Sequence, residues 1–404
     1  MCTPLYQIES VFRDEDYEWP GDWEGRALLA FVCHYKISGQ EIPCMKEMID
    51  LIPEKTRGRF FFGSEYTGIA DEQQLSGHGW YLRALCEYYE AFHDERAILY
   101  AEKTVEELFL PVLDKYENYP WQGQRDVGGV SGNSLLVEKE WRLSTDVGCA
   151  FIPLDGLSKY YEVTKDSKVE KLLQVMIEKF TQIDKVKTKM QTHATLSAVR
   201  GILRFYRLTH DDRYLKIATD HFELYTKRGM TVNYENYNWF GRENTWTEPC
   251  AVVDSLIVAK WLFEITKEEK YLTLFRRIYF NGMSFCQRKN GGAGTNACVT
   301  KENPILQTGP VFEAAFCCSM RFAEALWILN DNRAYIRFDE NKPIEKDALG
   351  RLFIDDRMLA EDLEGLLVDE KKYAYDGGEY LFIPSLITVD DETATKIRLK
   401  LIHT

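Results

Sequence analysis

No apolar run in this 404-residue chain approaches the ~20 residues that a membrane-spanning helix needs. The opening stretch, MCTPLYQIESVFRDEDYEWP, has neither a basic patch nor an apolar core, so no secretory leader is read and a cytoplasmic placement is expected. An excess of positive charge is also missing. Fifty Lys and Arg against 64 Asp and Glu leave a net charge of −14, which argues against nucleic acid and anionic membranes as partners. Ten cysteines are present, yet their spacing forms no compact disulfide framework for a chain of this length. Cys33, Cys86 and Cys149 fall in apolar helical stretches and read as small core residues. Nothing in the sequence sets an oligomeric state.

What the chain does have is a globular apolar share of 45% and an aromatic share of 13%. Rings at that level either fill a large helical core or line a carbohydrate cleft, where sugar C–H faces stack on them. The length allows one large core or two ordinary ones.

The strongest long-range pattern is a recurring helical unit. It is seen in CEYYEAFHDERAILYAE from Cys86, LSKYYEVTKDSKVEKLL from Leu157, LRFYRLTHDDRYLKIA from Leu203 and AKWLFEITKEEKYLTLF from Ala259. Each is an amphipathic helix ending in aromatics, a short polar break and a second helix. Thr164, Thr209 and Thr266 are placed to cap the second helix, with acidic residues in its first turn. Their unequal spacing excludes a regular solenoid and fits a closed double ring of helical hairpins, an (α/α)6-type barrel. Glu24–Ser38, His193–Leu208 and Cys317–Asn330 also read as helices. Polar, glycine-bearing loops are expected at Tyr119–Asn133, Val232–Asn244 and Asn290–Thr308. After Ala334 the character turns to β, with Ile397, Leu399 and Leu401 alternating with charge. Residues 1–334 are therefore expected to form the barrel, and 335–404 a small β-rich appendage that reads as a truncated second domain.

Two segments carry the chemistry. In TWTEPCAVV, Glu248 and Cys250 flank Pro249, a residue suited to the first turn of a helix, so their side chains can point the same way. In AAFCCSMRF, Cys317 and Cys318 begin a helix, where the dipole favours thiolates. Three sulfurs and a carboxylate form a tetrahedral donor set that zinc accepts. On spacing alone, buried structural cysteines remain the default reading.

Further segments add a family resemblance. LSGHGWYLRALCEYYEAF, HATLSAVRGILRFYRLTHDDRYL, RGMTV, RRIYFNGM and the Glu-X-Cys and Cys-Cys pairs stand in the order seen in glycoside hydrolase family 127, the β-L-arabinofuranosidases. The chain resembles that family over most of residues 70–330. The resemblance implies a retaining glycosidase acting on an oligosaccharide or glycoside. It implies Cys317 as nucleophile, zinc held by Glu248, Cys250, Cys317 and Cys318, and His78 and His193 in the sugar-binding cleft. It also implies an acid/base glutamate about sixteen residues before the ligand glutamate. Val232 occupies that position here, leaving Glu235 as the nearest choice and Glu243 as the alternative. The family's Pro-Pro-Asn after the cysteine pair is replaced by Ser319, Met320 and Arg321. Two rival readings remain. One is a metal-free toroid enzyme, a sugar epimerase or unsaturated-uronide hydrolase built on Asp146, Asp155 and His193. The other is a non-catalytic carbohydrate-binding relative.

Overall fold

The computed structural model describes residues 6–13, 16–121, 131–288, 291–313, 317–363, 371–383 and 396–401. Parts of the expected loops at Tyr119–Asn133 and Asn290–Thr308, and most of the IPSLITV stretch, lie outside the described residues. Two compact units are formed, Met1–Leu224 and Tyr225–Thr404. The boundary expected at 334 falls inside the second.

The first unit is a series of helical hairpins: Asp22–Ser38 with Pro43–Lys55, Glu72–Phe92 with Glu95–Thr104, Leu154–Thr164 with Ser167–Gln182, and Thr192–Thr209 with Asp212–Arg228, whose end crosses into the second unit. The two helices of a hairpin differ in burial for a reason legible in their sequences. Ser167–Gln182 buries Val169, Leu172, Leu173, Met176, Ile177 and Phe180, a single stripe at helical spacing. Glu72–Phe92 is instead buried continuously from Glu72 to Tyr88. A helix enclosed on every side must come close to its neighbours, and glycine makes this possible. A Cβ on Gly156 would lie 2.1 Å from the carbonyl oxygen of Gly79, and one on Gly201 would lie 2.3 Å from the carbonyl of Leu154.

Charges inside this packing are paired. Asp155 accepts from Arg83 at 2.9 Å and from Arg204 at 2.8 Å, with Arg200 3.5 Å away. Burial alone would raise its pKa, but the three guanidinium groups hold the carboxyl well below the usual carboxylate range. Asp146 accepts from the Ser131 hydroxyl at 2.9 Å and the Gly132 N–H at 2.9 Å.

The hairpin turns correct one expectation. Thr164, Thr209 and Thr266 do not cap the following helix. Each is the last residue of the first helix, and its hydroxyl donates back to the carbonyl four residues earlier, at 2.8–2.9 Å. The next residue, Lys165, His210 or Lys267, is left-handed with φ of 56–60°. In the first two turns an aspartate then caps the second helix, Asp166 receiving the Lys168 N–H and Asp211 the Arg213 N–H. His93 and Asp94 repeat the arrangement. The carboxylate one position before the helix is nearer its free N–H groups than the threonine, which sits behind the left-handed turn.

In the second unit, Pro249–Thr266 pairs with Glu269–Arg277, which runs on into a π-turn at Ile278–Met283. Cys317–Asp331 packs against Pro249–Thr266. The expected C-terminal β structure is present, and Ile397 and Leu399 are buried between exposed Arg398 and Lys400. The sheet is wider than expected, however. Gly294–Ala297 and Ile305–Glu313, in a region read as loop, lead the strand order and continue through Lys396–Arg398, Arg357–Asp362, Gly378–Phe382 and Tyr373–Tyr375. Ile305–Glu313 pairs on one side with the nearby Gly294–Ala297 and on the other with Lys396–Arg398, about ninety residues on, and no local pattern encodes the second partner. The sheet packs Leu352, Ile354, Leu359, Tyr380 and Phe382 into a core of their own.

Two stability outcomes follow. Lys165→Gly relieves a left-handed L-residue and is expected to raise unfolding free energy by about 0.5–1 kcal/mol in urea titrations. Asp155→Asn leaves buried guanidinium charge uncompensated and is expected to cost about 3–5 kcal/mol. Because the Asp155 pKa is depressed in the folded state, its contribution is present above the unfolded carboxylate value near 3.9 and is lost as pH falls through the folded value. The Asn variant should therefore differ most from the parent near neutrality.

Candidate metal–thiolate site

The site is built where two helices begin. Glu248 is extended, with φ −123° and ψ 108°, as a residue before proline prefers. Its N–H donates to the Asn236 side-chain oxygen at 2.9 Å. Pro249 then starts the helix, and Cys250 follows in its first turn, fully buried. Cys317 and Cys318 open the second helix, with Cys318 buried and Cys317 half-buried.

The sulfurs converge. Cys250 Sγ is 3.7 Å from Cys318 Sγ, Cys318 Sγ is 3.5 Å from Cys317 Sγ, and all three lie within 4.8 Å of one another. Bonds of about 2.3 Å to a tetrahedral ion would set neighbouring sulfurs about 3.8 Å apart, so the donor set fits such an ion. Electrostatics point the same way. Burial, followed by the neighbouring thiols, drives the Cys250 pKa well above its ordinary value. At Cys318 the hydrogen bond from Cys250 lowers the pKa, but Cys317, burial and the Glu248 charge together carry it well up. Three thiols crowded into one volume, with the Glu248 carboxylate within 4.8 Å of Cys250, oppose each other's ionisation, and a cation among them would reverse that opposition.

Glu235 stands outside the sulfur group, behind the turn that carries Glu248. It is completely buried. Its carboxylate accepts from Asn233 Nδ2 at 2.7 Å, Asn296 Nδ2 at 2.7 Å and the Thr247 hydroxyl at 3.1 Å. Burial raises its pKa against the pull of these donors. Thr247 thus joins Glu235 to the backbone next to Glu248. Gly282 permits this arrangement, because a Cβ there would stand 2.3 Å from the Tyr234 carbonyl oxygen. Arg288 donates to Asn296 Oδ1 at 3.0 Å and completes the bracket. Glu243 is exposed on a loop.

Sequence reasoning missed Asn233, Thr247, Asn296 and Arg288. The short Asn-X-Glu spacing was one available signal. Asn296, in the glycine-rich GGAGTN stretch, was hidden by its distance along the chain.

The two histidines lie in the first unit. His78 is buried, with Nε2 accepting from the Phe62 N–H at 2.9 Å and Nδ1 donating to the Gln74 carbonyl at 2.8 Å. Burial lowers its pKa to about 4, so it is neutral. His193 is buried and stacks on Trp80, with ring centres 5.8 Å apart and planes 4° from parallel.

Comparison with known proteins follows the same line. Residues 153–329 match the family described as Beta-L-arabinofuranosidase, GH127 catalytic domain. A GH127 beta-L-arabinofuranosidase from Geobacillus stearothermophilus T6 superposes with a TM-score of 0.51 at 14% identity, covering 94% of this chain and 72% of that one. Another solved GH127 beta-arabinofuranosidase gives a TM-score of 0.51 at 11% identity, covering 96% of this chain and 73% of that one. A cellobiose 2-epimerase from Bacillus thermoamylovorans B4167 gives 0.49 at 14% identity, over 80% and 95% of the two chains. No curated protein matches. The fold class is the mainly helical (α/α)6 type that the hairpins implied, and no helix among the described residues is long and apolar enough to cross a membrane. Over residues 153–329 the chain is similar to the glycoside hydrolase family 127 catalytic domain, and that match supports a glycosidase.

Proposed function

We propose that this glycosidase is a retaining β-L-arabinofuranosidase-like enzyme in which Cys317 is the nucleophile and zinc is held by Glu248, Cys250, Cys317 and Cys318. The supporting observation is the convergence of three sulfurs within 4.8 Å at the starts of two helices. Zinc, when bound, would supply the positive charge that keeps these sulfurs deprotonated near neutral pH. In this reading residues 1–334 form the catalytic barrel and 335–404 its appendage.

The protein groups act in two displacements. The Cys317 sulfur, the least buried of the three, attacks the anomeric carbon. As the C–S bond forms, the glycosidic C–O bond breaks and the leaving oxygen takes a proton from Glu235. Glu235, now a carboxylate, then removes a proton from water. The water oxygen bonds to the anomeric carbon, the C–S bond breaks, and the thiolate and protonated Glu235 are restored. A raised carboxyl pKa suits a proton donor. The threefold bracket of Asn233, Thr247 and Asn296 fixes its position, and opening of that bracket would bring it to a substrate. His78 and His193 are the proposed sugar-binding residues, with His78 acting through the backbone that it holds.

The complete burial of Glu235 supports a second reading, a carbohydrate-binding relative without turnover. A panel of arabinosides separates the two: hydrolysis with retained anomeric configuration supports the enzyme, and saturable binding without product supports the alternative.

Cys317→Ser is expected to lower kcat on the order of 10⁴-fold while the fold and most sugar affinity persist, since an unactivated hydroxyl replaces the thiolate. Retained turnover would remove Cys317 from the role. Metal analysis of the purified protein should find one zinc per chain, and Cys250→Ala should lose it together with the thermal stabilisation that bound metal gives. A metal-free parent with full activity would overturn the zinc assignment.

A further inference from the structure

A polar cavity lies entirely within the first unit. It has a volume of about 430 Å³ and is framed by the N-terminal segment, the start of the Asp22–Ser38 helix and the stretch from Lys55 to Glu65. Its wall contains Glu24, only 2% exposed. Glu24 Oε1 accepts the Arg13 N–H at 2.7 Å. Oε2 is buried and has no hydrogen-bond partner among the described residues. The same holds for Nε of Arg13, which also lines the cavity. A buried acceptor and a buried donor are thus left together at one wall. Such atoms normally find partners, because leaving one unmade costs its full desolvation.

The rest of the wall suggests what completes them. The Arg13 guanidinium carbon stands over the Trp23 ring, 3.7 Å from its centre. Arg59 is held by a bond from Nε to the Thr56 carbonyl at 3.3 Å and by the Phe61 ring, 5.5 Å away. Both guanidinium groups are therefore oriented before any ligand arrives. Among the lining residues Arg13, Lys55, Arg57 and Arg59 stand against Asp16, Glu65 and the partly ionised Glu24, so positive charge is in excess. Burial pushes the Glu24 pKa up to about 7, so its carboxyl is ionised only in part near neutral pH and repels an anion less than an ordinary carboxylate does. Phe62 and Pro20 supply an apolar face.

We propose that this cavity binds an acidic monosaccharide unit, its carboxylate received by Arg13 and Arg59 and a neighbouring hydroxyl bonded to Glu24 Oε2. Planar guanidinium groups match a carboxylate in two-point fashion, and a hydroxyl both donates and accepts, as the Glu24 and Arg13 atoms require. A neutral sugar lacks the first contact, and inorganic phosphate, whose hydroxyl can donate and accept, lacks the apolar stacking. The assignment uses none of the thiols and meets the proposed sugar-binding role of His78 only at Phe62, whose N–H His78 accepts.

Calorimetric titration of the full chain with D-glucuronate, D-glucose and inorganic phosphate tests it. Glucuronate is expected to bind with a Kd on the order of millimolar or tighter, and glucose and phosphate at least about tenfold more weakly. Arg59→Ala should weaken glucuronate about tenfold or more while leaving hydrolysis at the thiol site unchanged. Arg59→Lys, which keeps the charge but not the planar fork, should fall between, and reads the same contact if the alanine variant fails to fold. Absence of saturable glucuronate binding, equal binding of glucose or phosphate, or indifference to both Arg59 substitutions would overturn the proposal.

Discussion

Three sulfurs from two helices can meet only if those helices hold their relative position, and a buried ion pair one turn behind the sulfurs fixes it. Asp254 follows Cys250 by one helical turn, and Arg321 follows Cys317 by one turn, so each partner lies on the same helix face as its cysteine. Arg321 Nη2 lies 2.5 Å from Asp254 Oδ1, and a second nitrogen pairs with Glu324. Arg321 and Asp254 are 1% and 0% exposed. Removing either partner of such a pair strands a buried charge at about 3–5 kcal/mol. A purely apolar contact would tolerate sliding along the helix axis, whereas a guanidinium gripped by two carboxylates does so less, because its directed hydrogen bonds are lost together. Arg321 also occupies the last position of the Pro-Pro-Asn pattern from which this chain departs. The departure puts an interhelical lock where the family carries a short amide.

The lock matters because the cluster it assembles is electrostatically unfavourable alone. Cys250 and Cys318 are each pushed away from ionisation by burial and by neighbouring groups. Glu248 adds to the effect on Cys318. Glu235 is treated differently. Its neighbours are neutral amides and a hydroxyl, all donating to it, so burial is offset by hydrogen bonds instead of being deepened by like charge. One part of the unit therefore gathers thiols that could share a cation, and the adjacent part holds a carboxyl whose proton is retained more strongly than usual.

How much of this was legible in the sequence depends on whether its cause was local. Helical periodicity revealed the hairpins, since burial of one stripe leaves its imprint every three to four residues. The Glu-X-Cys and Cys-Cys pairs were weak on spacing alone and became legible through the family resemblance that the order of the neighbouring segments carries. The turns were read with the wrong residue: the threonines are regular, but the capping is done by Asp94, Asp166 and Asp211, one position before the following helix. Long-range features left no such imprint. Asn296 reaches Glu235 across 61 residues, and Ile397 pairs with Leu306 in a sheet whose first strands precede the Cys317 helix. Nothing within a short window of sequence encodes either.

Both units solve the problem of burying helices on all sides in the same way. In the first, Gly156 and Gly201 remove side chains where backbones touch, and Asp155, beside Gly156, is gripped by arginines from two neighbouring helices. In the second, Asp254 within the buried Pro249–Thr266 helix is gripped by Arg321 from its neighbour. Close backbone approach alone fixes distance and leaves rotation and sliding weakly opposed. A long arginine reaching across to one carboxylate opposes both, provided that the pair is sealed from water and each charge is satisfied. The sulfur cluster lies one turn along from such a lock. Its geometry is therefore set by the scaffold, and an ion held there would need to supply only charge.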